Sequence, residues 1–175
     1  MNNQIKEISD KLEAYLKSND FMGYDPYDAL NSPILKTLTF GNRFLGILFV
    51  QLLKWCPINL RPILLIKIGI NPKGFGLLIS AYVEKYKFSN DHKDLEQAKY
   101  FADWLMSNYS KGFSGKCWGY NFDWPNRNSF FKKGLPTIVN TSFIANGFLD
   151  LYEITKEKKY LDVAESSCEF IINDL

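Results

Sequence analysis

The chain has 175 residues, 46% hydrophobic and 16% aromatic, which is enough to bury the core of one globular domain. Its 21 basic and 19 acidic residues nearly balance, so charge gives no reason to expect a nucleic-acid partner. The three cysteines match no zinc spacing, and the single histidine follows a helix-start signal. We therefore expect no metal site, no cofactor, and a reducing, cytoplasmic location.

The N-terminal segment is polar and amphipathic, which predicts a helix and not a secretory signal. Its apolar side chains recur at helical spacing and form one stripe: Ile5, Ile8, Leu12, Tyr15 and Leu16. The helix runs into a loop that contains Gly23, Tyr24, Asp25, Pro26, Tyr27 and Asp28. Asp25 precedes a proline, so it is either a functional carboxylate or an ordinary turn residue, and Asp28 could equally cap a short helix.

The segment from Phe44 to Ile70 is the most apolar part of the chain. Pro57 and Pro62 interrupt it, and it carries Gln51, Lys54, Arg61 and Lys67, so it has no uninterrupted run of about 18 apolar residues. We predict a pair of core helices here and no integral membrane segment. Association of this segment with a membrane surface stays open as an alternative.

The second half of the chain repeats itself. Shifted by 66 positions, residues 82–108 align without gaps on residues 148–174, so that Tyr86 meets Tyr152 and Ala98 meets Ala164. Helix-boundary signals stand at Asn71-Pro72, at Ser89-Asn90-Asp91 and at Gly134-Leu135-Pro136, and no alternating strand pattern is evident. The repeat predicts a helical hairpin used at least twice in an all-α domain spanning residues 1–175.

A third, partial copy lies at the front, since residues 15–19 resemble residues 104–108. Each of these helix ends runs into a loop with Gly-Tyr and an aspartate. Loops at equivalent positions of stacked hairpins emerge on one side, so we expect the two loops and the Gly69–Gly74 turn to share one end of the molecule.

The longest loop, residues 115–127, is rich in aromatic, amide and charged side chains. Such a segment suits a sugar site, where rings cover the apolar face of a pyranose and polar groups bind its hydroxyls. The expected ligand-binding residues are Trp118, Tyr120, Asn121, Trp124 and Arg127, with Tyr24 and Tyr27 from the first loop. Two alternatives remain: the aromatic residues plug the helical core, and Arg127 pairs with a nearby acid.

Glycoside hydrolysis generally needs two carboxyl groups. The candidates are Asp123, Asp25 and Asp28, of which Asp123 is favoured because Phe122 and Trp124 flank it and partial desolvation suits a general acid. Asn140, Thr141 and Ser142 open the next helix and either bind an anionic sugar or simply cap that helix.

Three stretches, NLRPILLIKIGINPKGFGLLISAY, GKCWGYNFDWPNR and GLPTIVNTSFIANGFLDLYE, carry a resemblance to a known superfamily. The chain resembles the six-hairpin glycosidase-like, or (α/α)6 toroid, superfamily, and within it uncharacterised proteins of bacterial and archaeal surface-polysaccharide loci. The resemblance implies about half of a toroid, the N-terminal half of a longer protein, or else a compact or self-associating half-toroid.

Two kinds of function follow from this resemblance. The first is action on, or binding of, an oligosaccharide, polysaccharide or glycolipid-linked sugar, hydrolase-like or lyase-like if the protein is an enzyme. The second is a non-catalytic scaffold or interaction module in a polysaccharide assembly system. A carboxylate pair across a cleft would favour the enzyme, whereas a binder needs the aromatic residues alone.

Overall fold

The computed structural model describes residues 3–175, except for the side chains of Asn3 and Ile5. It confirms the all-α class, with one small strand pair that the sequence did not predict. In chain order the elements are α1 Asn3–Ser18, a 3₁₀ turn Asp28–Asn31, α2 Pro33–Leu38, α3 Arg43–Trp55, α4 Pro72–Ser89, α5 His92–Ser107, β1 Trp124–Pro125, β2 Phe130–Phe131, α6 Ile138–Thr155 and α7 Lys158–Asp174.

The 66-residue repeat is confirmed at the level of backbone geometry. Helices α4 and α6 begin and end at positions related by that shift, and so do their N-caps, Asn71 and Thr137, whose side chains accept the N–H of Lys73 and Asn140. Both helices end in a left-handed residue, Asn90 at φ 53° and Lys156 at φ 58°. The hairpins α4–α5 and α6–α7 are therefore two copies of one unit.

The main core lies between these hairpins. Helix α4 packs against α5 and α6, and α6 packs against α7. The two central helices touch at glycines, because a Cβ on Gly147 would lie 2.6 Å from the carbonyl oxygen of Gly76. Aromatic and aliphatic side chains fill the remaining space, among them Phe75, Ile79, Phe101, Leu105, Ile144, Phe148 and Tyr160.

The first loop, which starts with the Gly23–Asp28 segment, continues as a long excursion from the hairpin repeat and has a small hydrophobic core of its own. It begins and ends at the antiparallel bridge between Gly23 and Gly69, and the second loop is closed in the same way by Gly119 and Pro136. The excursion contains α2 and α3 and buries a separate cluster made of Ala29, Leu30, Val50, Leu53 and Ile66. The expected pair of core helices is wrong, because only α3 forms there and the chain from Cys56 to Ile70 is non-helical.

Helix α1 is largely exposed and is joined to α4 by side-chain hydrogen bonds. Its predicted apolar stripe is not buried: Ile8 and Tyr15 are 64% and 65% exposed, and the side chain of Ile5 lies outside the described residues. Glu13 holds the helix in place, accepting hydrogen bonds from Tyr82 Oη at 3.1 Å and from Lys85 Nζ at 2.6 Å. No helix within residues 3–175 has both the length and the hydropathy needed to cross a bilayer.

Candidate functional site

The two loops and the turn before α4 do meet at one end of the molecule, as the repeat predicts. Asn31 donates a hydrogen bond to the carbonyl oxygen of Asn121 at 3.1 Å, although 90 residues separate them. The Tyr27 and Phe122 rings stack with centroids 6.5 Å apart. Asn71, the N-cap of α4, belongs to the same group of contacts because its side chain reaches the first loop.

These segments enclose a cleft made of two adjoining pockets. The α1 pocket, of about 550 Å³, lies between α1, the first loop and α4. The aromatic pocket, of about 360 Å³, lies between the first loop, the start of α4 and the second loop. The two pockets share four lining residues, Asp25, Asn71, Gly74 and Leu77. We use "the cleft" below for both pockets together.

Asp25 is the one carboxylate that lines the cleft among the described residues. Its Oδ1 accepts the backbone N–H of Tyr27 at 3.0 Å, which makes it the turn residue that its place before Pro26 predicted. Its Oδ2 accepts the Asn71 amide at 3.1 Å. A carboxylate has about four acceptor positions, so Asp25 is held in orientation and keeps capacity for a ligand.

Aromatic rings form the wall of the aromatic pocket. Tyr120 stacks on buried Phe122 at 5.0 Å and meets Trp124 edge-on at 5.5 Å, while Tyr27 lies across from them. Burial raises the pKa of Tyr120, and nearby Asp25 adds to this, so its hydroxyl remains protonated at neutral pH. Tyr24 lines the neighbouring α1 pocket and is 38% exposed.

The prediction that Trp118 stacks on a ligand is wrong. Its side chain is only 1% exposed, its Nε1 donates to the carbonyl oxygen of Leu105 at 3.1 Å, and its ring stacks on Phe148. Trp118 fills the main core, and this is the structural role that the sequence analysis gave as the alternative for all the aromatic residues of the loop. The loop is therefore divided, with Trp118 structural and Tyr120 and Trp124 at the cleft.

The prediction that Asp123 faces a substrate is also wrong. Asp123 is 6% exposed and does not line the cleft. Its Oδ2 pairs with Lys36 Nζ at 2.6 Å, and its Oδ1 accepts the backbone N–H of Lys133 at 2.8 Å. The carboxylate thus ties the second loop to α2 and leaves neither oxygen directed at a ligand.

Asp28 is a buried structural acid as well. Both of its oxygens accept from Arg61 Nε, at 2.9 and 3.1 Å, and Oδ2 also accepts the backbone N–H of Asp25. Burial raises the pKa of Asp28, and the Arg61 guanidinium opposes that effect. Asp28 therefore anchors the turn that presents Asp25, in place of either a catalytic or a helix-capping role.

Arg127 and the start of α6 contribute nothing to the cleft. Arg127 is exposed in the turn between the two strands, forms no ion pair with any described residue, and does not line the cleft. At the start of α6 the capping residue is Thr137. Asn140 is completely buried, and within the described part of the chain neither atom of its amide group has a hydrogen-bond partner. The suggested anion site at Asn140–Ser142 is therefore not an open one.

Other residues complete the site. The buried Asn121 Oδ1 has no hydrogen-bond partner in the described residues, and Asn121 lines the α1 pocket. Lys73 lines the aromatic pocket, with its ammonium 4.7 Å from the Phe143 ring centroid. The Asn71-Pro72 signal predicted a helix start, but nothing in the sequence indicated that the same amide would orient Asp25.

The described residues contain no group of three or more His, Cys, Asp or Glu side chains placed to hold a metal ion. Comparison of the chain with protein-family models, with curated proteins and with solved structures finds no match in any of the three. Fold and site together define a helical-hairpin repeat protein with an aromatic cleft at the loop end of its repeats.

Proposed function

We propose that this protein binds a carbohydrate in the cleft. The observation that carries the proposal is the convergence of four aromatic side chains, Tyr24, Tyr27, Tyr120 and Trp124, around one oriented carboxylate, Asp25. Aromatic faces cover the apolar side of a sugar ring, while a fixed carboxylate accepts hydrogen bonds from its hydroxyl groups.

Two further features support a polyhydroxylated ligand. Asn121 lines the α1 pocket, and an amide side chain can bind the hydroxyl groups of a sugar. Lys73 adds a cation to the aromatic pocket that Asp25 also lines, which suits a sugar that carries a carboxylate or phosphate group. The two pockets hold about 550 and 360 Å³, which is room for an oligosaccharide of a few rings.

Binding is favoured over hydrolysis because, within the described part of the chain, the cleft offers a single carboxylate. Asp123 and Asp28 are engaged by Lys36 and Arg61, so neither can act as the second group that a two-carboxylate mechanism needs. A glycoside hydrolase-like or lyase-like activity would require a second acid from outside the described residues. The alternative of a non-catalytic component of a polysaccharide assembly system agrees better with this arrangement.

The toroid remains part of the proposal. Helices α4 and α6 would be inner helices and α5 and α7 outer ones, as in the (α/α)6 toroids that the sequence resembles. Helix α6 exposes the apolar side chains of Val139, Phe143 and Leu149, which a further hairpin or a second copy of the chain would cover in part. These exposed side chains also favour the alternative of a helical-repeat interaction protein.

The test is glycan-array binding together with an assay for glycan turnover. The variants Tyr24→Ala and Asp25→Asn change the cleft, and Tyr100→Ala and Asp162→Asn are the matched controls, since Tyr100 is 53% exposed elsewhere and Asp162 is exposed on α7. Loss of one aromatic or charged contact worth about 1.4 kcal/mol should weaken binding about tenfold, and only in the cleft variants.

The outcomes distinguish a carbohydrate-binding protein from an enzyme and from a cleft that binds no carbohydrate. Binding that falls only in the cleft variants supports the proposal. Turnover by the wild type that Asp25→Asn abolishes would establish an enzyme instead of a binder. If the wild type binds no glycan, or if the controls weaken binding as much as the cleft variants do, the cleft is not a carbohydrate site.

A further inference from the structure

The charge of the chain is unevenly distributed although its net charge is only +2. Residues 29–83 contain none of the 19 acidic residues. The same stretch contains six basic residues: Lys36, Arg43, Lys54, Arg61, Lys67 and Lys73. This stretch covers most of the first-loop excursion, including α2 and α3. Lys36 and Arg61 pair with Asp123 and Asp28, and Lys73 lines the cleft. The excursion keeps Arg43, Lys54 and Lys67 without an acidic partner among the described residues, and this excess of positive charge attracts an anionic partner.

Helix α3 has two apolar faces, and only one of them is covered. Gly46, Val50 and Leu53 are buried, with Gly46 against Leu30 and Pro125. The opposite face carries four large apolar side chains at spacings of four, four and three: Phe44, Leu48, Leu52 and Trp55, which are 66%, 49%, 59% and 76% exposed. A soluble helix normally keeps its outer face polar, so this face lacks its partner.

The chain on either side of α3 extends the exposed apolar area. Phe40 is 84% exposed just before the helix, and Ile58 and Ile63 are 67% and 74% exposed just after it. A pocket of about 600 Å³ with a mostly apolar lining opens beside Leu52 and Trp55. We name these residues together the α3 surface: Phe40, Phe44, Leu48, Leu52, Trp55, Ile58 and Ile63.

We propose that the α3 surface docks this protein onto an anionic lipid bilayer. The apolar side chains enter the boundary between headgroups and acyl chains, and the basic residues around them contact lipid phosphates. Lys and Arg suit this role because their long side chains keep the charge at headgroup level while the apolar stem is buried. The proposal concerns a surface separate from the cleft and does not depend on what the cleft binds.

Position in the fold and charge together favour a bilayer over another hairpin of the repeat. A further hairpin would pack on the free side of α6, whereas α3 belongs to an excursion that lies outside the repeat. Trp55 is mostly exposed, and its indole N–H donates a hydrogen bond to Gln51 of its own helix at 3.3 Å. Tryptophan in such a position, beside Lys54, is typical of residues that sit at a membrane–water interface.

The test is sedimentation of the full chain with vesicles of phosphatidylcholine alone and of phosphatidylcholine with about one-third phosphatidylglycerol. Wild type should bind the anionic vesicles at least tenfold more tightly, and raising the salt to about 0.5 M should weaken that binding. The double variant Leu48→Gln/Leu52→Gln should lose at least tenfold in affinity. Phe88→Gln and Ile172→Gln are the matched controls, because these side chains are 80% and 78% exposed on other helices.

Two measurements keep the result interpretable. Circular dichroism checks that each variant is folded, and quenching by lipids brominated on their acyl chains reports whether Trp55 enters the bilayer, with Trp55→Phe to identify its signal. Loss of binding in the double variant alone, with quenching at Trp55, supports the proposal. Absence of vesicle binding by the wild type overturns it, and so does a dimer in light scattering that the double variant dissolves, which would assign the face to a second copy.

Discussion

The contact between α4 and α6 makes a quantitative prediction. A Cβ added at Gly76 would lie 2.8 Å from both Cα and Cγ1 of Ile144, whereas ordinary contact begins at 3.4 Å. The two helices would therefore have to separate by about 0.6 Å along much of the main core. Overpacking of this kind costs about 1–3 kcal/mol, and the better helix propensity of alanine returns at most about 1 kcal/mol. We expect Gly76→Ala to lower the free energy of unfolding by up to about 2 kcal/mol.

Gly74→Ala is the matched control on the same helix. The nearest atom to its added Cβ is Asn71 Cβ at 4.0 Å, so only the gain in helix propensity, of a few tenths to about 1 kcal/mol, should remain. Urea unfolding followed by circular dichroism at 222 nm measures both variants against the wild type. If Gly76→Ala proves as stable as Gly74→Ala, the two helices do not approach as described and the reasoning fails.

Three other predictions concern single side chains. Trp118→Phe removes the bond to Leu105 and leaves a cavity, so urea unfolding should show a loss of about 2–3 kcal/mol; an unchanged midpoint would contradict its place in the core. Burial raises the pKa of Glu13, but hydrogen bonds from its lysine and tyrosine partners outweigh it and lower the value to about 2. The contribution of Glu13 to the free energy of unfolding should therefore be fully present above its ordinary pKa of 4.5 and fall by roughly 2 kcal/mol as the pH drops towards 2. A Glu13→Gln variant that keeps this pH dependence would refute the assignment. Burial raises the pKa of Cys117 to about 11, so iodoacetamide at pH 8 should label the exposed Cys168 in the native protein and Cys117 only after unfolding, as mass spectrometry would show.

The sequence predicted the structure correctly where the same helix-capping and turn residues occur in both copies of the hairpin. The 66-residue shift predicted the hairpins because caps and turn residues act on their immediate neighbours, and Asn90 and Lys156 end their helices in the same conformation. The meeting of the two loops followed from that regularity. The place of Asp25 in a turn followed from Pro26, which is again a local effect.

The errors about Trp118, Asp123 and Asp28 involve contacts between parts of the chain that are distant in sequence. Trp118 and Trp124 belong to the same aromatic loop, and only the packed structure shows that one lies in the core and the other at the cleft. Lys36 neutralises Asp123 from 87 residues away, and Arg61 neutralises Asp28 from 33 residues away. Such pairs depend on tertiary packing, so the identity of the single available carboxylate could not be read from spacing.

The bridge between Gly23 and Gly69 has a consequence for how proteins of this architecture can diverge. The whole excursion leaves the repeat and returns to it at two residues whose backbones are hydrogen-bonded, at 3.0 and 2.9 Å. Each doubling of the length of a flexible loop adds only about 0.6 kcal/mol of closure entropy. Segments of quite different length and chemistry could therefore be exchanged between these two glycines by recombination, so that ligand preference and surface attachment would evolve while the hairpins keep one architecture.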